Sequence, residues 1–249
     1  VYNKSDVEYL SMALDAKLCG DYSDKYKEML RFVFNGFVSH LRNENITSND
    51  VKSYLIQYVS GVSYNTLKRH LNVLVNEARS IGMSGNPMEG LKAKKTKAKL
   101  HKPYKDIGAI LYEVKAFNHK LYICCLLTYG CLLRPHREVR GLRWRDFSDD
   151  LSYIHLSGSR NKSGKNRIGP VPVYIQNELQ KGHDLHNIFT GNEKPLNKSY
   201  FNTLWGRFKK VSKLIEQDQT LYSFRHSGAI EIFKRTGSIT KLQKAMGHS

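Results

Sequence analysis

TLYSFRHSGAIEIFKRTGSITKLQKAMGHS, residues 220–249, is the stretch around which this chain is organised. Its start gathers three polar side chains, Tyr222, Arg225 and His226. Apolar residues then recur at a helical period until Gly237, and a shorter helical turn runs on to Gly247-His248-Ser249. Backbone N–H groups at a helix start lack intrahelical partners, so cations collected there favour an anionic ligand.

Working backwards, the preceding hundred residues carry further polar signals wherever local structure changes. Residues 107–116 and 121–133 read as helices, the second apolar enough to be buried. Leu133-Arg134-Pro135 breaks it, because a residue before proline is biased out of the helix. A new helix is expected over residues 136–142. Residues 153–156 and 168–173 alternate as strands around a polar, basic turn, which predicts an antiparallel hairpin with Lys162 and Lys165 at its tip. Helices resume over residues 175–180, 198–214 and 223–234. Two arginines, a lysine and histidines brought together would form a phosphate site. Glu138 and Asp146 are read as structural acids paired with neighbouring arginines.

The first ninety residues are helical in pattern. Apolar stripes run through Val7, Leu10 and Leu14, through Leu30, Val33 and Phe37, and through Leu67, Leu71 and Leu74. Asp6, Ser23, Thr47 and Ser63 mark the four helix starts, and the last helix stops near Gly82–Pro87. Tyr54, Tyr58 and Trp205 are expected in cores. The stretch LKAKKTKAKLHKPYK carries seven lysines between Lys92 and Lys105 and no apolar repeat, the composition of a linker. The expected organisation is a helical domain over 1–91, a basic linker over 92–104, and a second domain over 105–249. The fold class is mainly α, with a small antiparallel sheet in an otherwise helical second domain.

Composition narrows the partner. Forty Lys+Arg against 22 Asp+Glu give a net charge of +18, which points to a polyanion, nucleic acid before membrane. No apolar run approaches the ~20 residues of a membrane span. Cys19, Cys124, Cys125 and Cys131 lack ligand or disulfide spacing and read as thiols of a reducing, cytoplasmic compartment. No metal or cofactor is called for. Lys68, Arg69, Lys92, Lys94, Lys95, Lys97 and Lys99 are candidate phosphate contacts by charge.

The order of these signals resembles the tyrosine recombinase (phage integrase) family. TYGCLLRPHREVRGLRWRDF is similar to its first box, with Arg134 at the arginine position and Trp144 and Asp146 as the closing pair. The spacing to Glu138 is one residue longer than the family's. NKSGKNR is similar to its hairpin tip, placing the family's lysine on Lys162, with Lys165 as runner-up. YSFRH is similar to its His-x-x-Arg-His box, with Arg225 and His226 fitting and Tyr222 in the place of the first histidine. Gly247-His248 is similar to the third box.

The resemblance implies a SAM-like, four-helix core-binding domain and a DNA strand transferase needing neither metal nor ATP. Arg134 and Arg225 would stabilise the charge of a pentacoordinate phosphate, His248 would donate to it, and Lys162 would protonate the leaving 5′ oxygen. Tyr222, whose phenol is a poor base at neutral pH, would bind the phosphate rather than attack it. Glu138, Lys165 and His226 would support the site. The tyrosine nucleophile is expected after Ser249, about nine residues or roughly 13 Å of helix beyond the Gly-His pair. The resemblance also implies duplex DNA as partner and a tetramer on DNA for the full-length chain; residues 1–249 alone are expected to bind DNA without cutting it and to be largely monomeric. Two other readings stay open, a non-catalytic DNA-binding relative and a basic RNA-binding or nucleoid protein.

Overall fold

The computed structural model describes residues 4–97, 101–158, 164 and 166–247. The chain divides into two compact units, Val1–Ala98 and Lys99–Ser249. It is mostly helical, with one two-stranded antiparallel sheet among the described residues. No helix of the described residues is long and apolar enough to cross a membrane.

The first unit holds α1 (Asp6–Cys19), α2 (Asp24–Val38), α3 (Ser48–Ile56) and α4 (Gly61–Ser80). Each start is set by a hydroxyl that accepts an otherwise unpaired backbone N–H: Ser5, Ser23, Thr47 and Ser60. Ser5 and Thr47 complete capping boxes with Glu8 and Asp50. The last helix therefore opens before Ser63, whose backbone N–H is the one Ser60 receives. The predicted stripes meet inside: Leu10, Leu30, Val33, Phe37, Leu55, Leu71, Leu74 and Tyr54 are buried, and Tyr58 packs against them. After α4 the chain returns along it, where Asn65 and the backbone of Lys94 exchange two hydrogen bonds of 2.8 Å each.

In the second unit α5 (Ile107–Phe117) and α6 (His119–Gly130) pack against each other, and α6 packs against α9 (Ser223–Thr236). Asp106 and Asn118 cap α5 and α6. Helix α6 ends at Gly130 rather than continuing to residue 133. The chain then takes a left-handed turn at Leu132 (φ 52°), an unfavourable conformation for a branched residue. Nor is there a regular helix over 136–142. Both Glu138 and Val139 donate to the carbonyl of Arg134, and only a short 3-10 turn, Val139–Gly141, forms. The turn is held instead by the Glu138 carboxylate, which points inward.

Strands β1 (Tyr153–Leu156) and β2 (Arg167–Pro170) pair antiparallel, with Leu156 opposite Arg167 and Tyr153 opposite Pro170. The second strand ends earlier than the alternation suggested, because Pro172 caps the short α7 (Val173–Gln176). Helix α8 (Tyr200–Val211) buries Phe201, Trp205 and Phe208 beside Phe224 of α9. Gly237 closes α9 in the left-handed conformation, and Ser238 caps α10 (Ile239–Met246).

Gly228 lets α9 approach α6. A Cβ there would lie 2.0 Å from the carbonyl oxygen of Tyr129, a backbone atom that cannot swing aside. Gly228→Ala is therefore expected to destabilise the protein by at least ~2 kcal/mol through overpacking, read as a lower urea midpoint.

Candidate active site

The site is built around one buried carboxylate. Glu138 Oε2 accepts from the backbone N–H of Arg134 at 2.9 Å, and Oε1 pairs with the Arg134 guanidinium. The same carboxylate lies 3.7 Å from Arg167 and 3.9 Å from Arg225. Three guanidiniums thus face one acid, and the cluster keeps a positive excess among the described residues. Burying unbalanced charge costs free energy, so an arrangement of this kind favours an anion from solution.

Arg225 and Arg167 are both held by backbone carbonyls. Arg225 donates to Leu132 and, at 2.8 Å, to Met246. Arg167 donates to Leu132 at 3.3 Å, to Cys131 at 2.7 Å and to Ala245. The left-handed turn at Leu132 presents the carbonyl that both arginines share. Burial lowers the Arg225 pKa to about 10 and presses Arg167 down as well, yet both remain cations at neutral pH. Arg225 is fully buried, and its Nε has no hydrogen-bond partner among the described residues.

Of the residues singled out from sequence, Arg134, Arg225 and Glu138 come together here. Tyr222 precedes the first turn of α9, with Arg225 6.0 Å from its ring. His226 packs against Tyr222 at 5.6 Å between ring centres. The end of α10 is bound into the cluster through Ala245 and Met246, and Gly247 follows it with φ 65°. Lys162, Lys165 and His248 lie outside the described residues, as does Lys99.

In the first unit Arg69, Lys92, Lys95 and Lys97 are exposed, whereas Lys68 is half-buried. Lys94 donates its ammonium to the carbonyl of Tyr58 at 3.1 Å and lies over the Tyr64 ring. One of its three N–H donors is thereby engaged. Asp146 accepts the backbone N–H of Arg143 at 2.7 Å.

Two members of the site escaped the sequence reading. Arg167 closes the NKSGKNR tip, a polar run that reads as solvent-facing although this side chain turns inward. His101 stands in the lysine-rich stretch read as linker, and its ring packs on Tyr222 and His226.

Burial holds the imidazoles of His226 and His136 below the usual value, with His101 and Arg225 adding to the effect at His226 and Arg140 at His136. The unfolded chain therefore binds more protons than the native state just below 6.5, the ordinary histidine value. Stability from these groups is complete above that pH and is lost as pH falls through the depressed native values. Melting curves should show a falling Tm between about pH 7 and 5.5, and His226→Gln should flatten that fall.

Residues 101–249 match the family model described as the phage integrase family. Among solved structures, the chain is similar to lambda integrase bound to DNA, with 17% identity, a TM-score of 0.81, and coverage of 99% of this chain and 92% of that one. It is similar to a lambda integrase tetramer bound to a Holliday junction, with 16% identity, a TM-score of 0.81, and coverage of 99% and 78%. It is also similar to the Tn1549 transposon integrase in complex with transposon right end DNA, with 15% identity, a TM-score of 0.72, and coverage of 99% and 92%. At such identities the likeness speaks for the fold. No curated protein matches the chain.

Proposed function

The chain belongs to the phage integrase family, and from that membership we propose that it is a site-specific recombinase of a mobile element or inversion system. It cuts and rejoins duplex DNA through a 3′-phosphotyrosine intermediate, without metal or ATP. The observation that supports this reading best is the Glu138 cluster, a fixed set of guanidiniums that, among the described residues, has positive charge in excess and one buried donor of Arg225 unmatched.

In this reading Arg134 and Arg225 bind the non-bridging oxygens of the scissile phosphate. Their attraction grows as charge accumulates on the pentacoordinate transition state, and that difference is what accelerates the reaction. Arg225 uses its unmatched Nε and gives up a backbone carbonyl to do so. Glu138 holds the guanidiniums in place. Tyr222 and His248 donate further hydrogen bonds, and Lys162, with Lys165 as the alternative, protonates the leaving 5′ oxygen. The attacking group in this reading is a tyrosine hydroxyl. Residues 1–91 act as the core-binding domain, and Arg69, Lys92, Lys95 and Lys97 supply phosphate contacts. Lambda integrase is described as a tetramer on a Holliday junction, and the full-length chain is assigned the same assembly on its own DNA.

The full-length chain, incubated in EDTA with a nicked duplex from the end of its own element, should form a denaturant-resistant adduct on the 3′ phosphate. A metal requirement or a 5′ linkage would contradict the mechanism. Tight duplex binding with no adduct would favour the non-catalytic relative.

A further inference from the structure

The second unit brings one imidazole to the site from a place the sequence motifs do not reach. His101 precedes α5, yet the segment 101–104 is laced along the turn that leads into α9. Lys102 N–H donates to Asp218 at 3.3 Å and Tyr104 N–H to Ser227 Oγ at 2.9 Å. Tyr104 OH donates to the Thr220 carbonyl at 2.6 Å, and Gln219 donates to the Pro103 carbonyl at 3.1 Å. The Tyr104 ring is buried against Phe224 with centres 4.6 Å apart. The position of His101 is therefore built into the core of the unit.

Its ring is oriented as well as placed. Nδ1 lies 2.9 Å from Thr220 Oγ1, and Thr220 is itself fixed by its N–H donating to Ser223 Oγ. The Thr220 hydroxyl can accept from Nδ1–H or donate to Nδ1; when Nδ1 is the donor, Nε2 is the nitrogen left to take up a proton. The ring centre is 5.2 Å from Tyr222 and 5.6 Å from His226, and the two imidazoles are stacked at 24°. Stacking alone needs no oriented nitrogen; a phenyl ring would serve equally.

Tyr222 stands next to Arg225 where a phosphate would bind, but a phenol accepts protons poorly at neutral pH. We propose that His101 is the proton-accepting imidazole of this site, doing at the face of Tyr222 what Tyr222 cannot do. The inference rests on the recombinase reading above. The attacking group is a tyrosine hydroxyl. As its oxygen bonds to phosphorus, its proton passes to Nε2 of His101. The bond from phosphorus to O5′ breaks, and O5′ takes a proton from the hairpin lysine. No redox change occurs. Among the described residues, the titratable and charged groups facing His101 are Tyr222, His226 and, beyond Tyr222, Arg225. His226 is held by ring packing within the first turn of α9 and is given no proton-transfer role.

The test measures single-turnover adduct formation by the full-length chain on the nicked duplex between pH 5.5 and 8.5. His101→Phe should lower the rate by ~10²-fold or more and remove the acid limb of the profile, with duplex affinity and Tm kept. His101→Ala should regain rate when free imidazole is added, a response that a purely structural role does not give. Unchanged rate and profile in His101→Phe, no rescue of His101→Ala, or loss of the acid limb in His226→Phe instead would each overturn the assignment. Absence of adduct from the unsubstituted chain would instead overturn the recombinase reading, and this inference with it.

Discussion

Arg225→Ala is expected to abolish the covalent adduct, with a rate at least ~10³-fold below that of the unsubstituted chain. In the proposed reaction the fork is worth most in the transition state, where the phosphate carries additional negative charge, and the buried surroundings keep water from screening it. Duplex affinity should change little, because it is spread over many phosphate contacts across a chain of net charge +18. Arg225 also ties Leu132 to Met246, so alanine will cost stability as well as chemistry. Arg225→Lys separates the two effects. It keeps the charge beside Glu138 but loses the planar pair of donors, and should restore Tm more than it restores the rate. Equal recovery of both would mean that Arg225 serves the fold rather than the phosphate.

Glu138→Gln should be the most destabilising single change, at about 3–5 kcal/mol by urea denaturation. The amide has nearly the same volume, so no cavity is made. What is lost is the only acid within ion-pair distance of Arg134, Arg167 and Arg225 among the described residues. Three guanidiniums would then repel one another with Arg225 fully buried and Arg134 and Arg167 only partly open to solvent, so that little water screens them. Added phosphate or sulfate should recover part of the loss by occupying the site, because a ligand bound only to the native state stabilises it. A cost below about 1 kcal/mol would show that the carboxylate is not what holds the cluster together.

Much of this architecture could be read from residue order. Hydroxyl caps at Ser23 and Thr47, the apolar run of α6 and the alternation of β1 are local signals, and local signals survive folding. Arg134 and Arg225 stood out because each sits where a helix breaks or begins. The failures share a cause, since each depends on an atom far away in sequence. Residues 136–142 have helical composition, but the Glu138 carboxylate is recruited by guanidiniums from β2 and α9, and the turn tightens around it. Leu132 bears no mark of a left-handed residue; its carbonyl is needed by two arginines that arrive later in the chain. Arg167 looks like one more cation in a polar hairpin until pairing with β1 turns it inward. His101 is hidden among lysines, and only the bonds of the 101–104 segment to the turn at Thr220 reveal it. Nothing local marks Gly228 as the point where α9 meets the backbone of α6.

The proposed role of Arg134 and Arg225, gathered by Glu138, is to hold the scissile phosphate. A crystal structure of the full-length chain on a nicked duplex tests it most directly. One phosphate should lie with its non-bridging oxygens within hydrogen-bond distance of both guanidiniums, and Arg225 should be released from at least one of the carbonyls of Leu132 and Met246. A duplex bound with Arg225 still donating to both carbonyls, and with the nearest phosphate out of reach of Arg134, would contradict it.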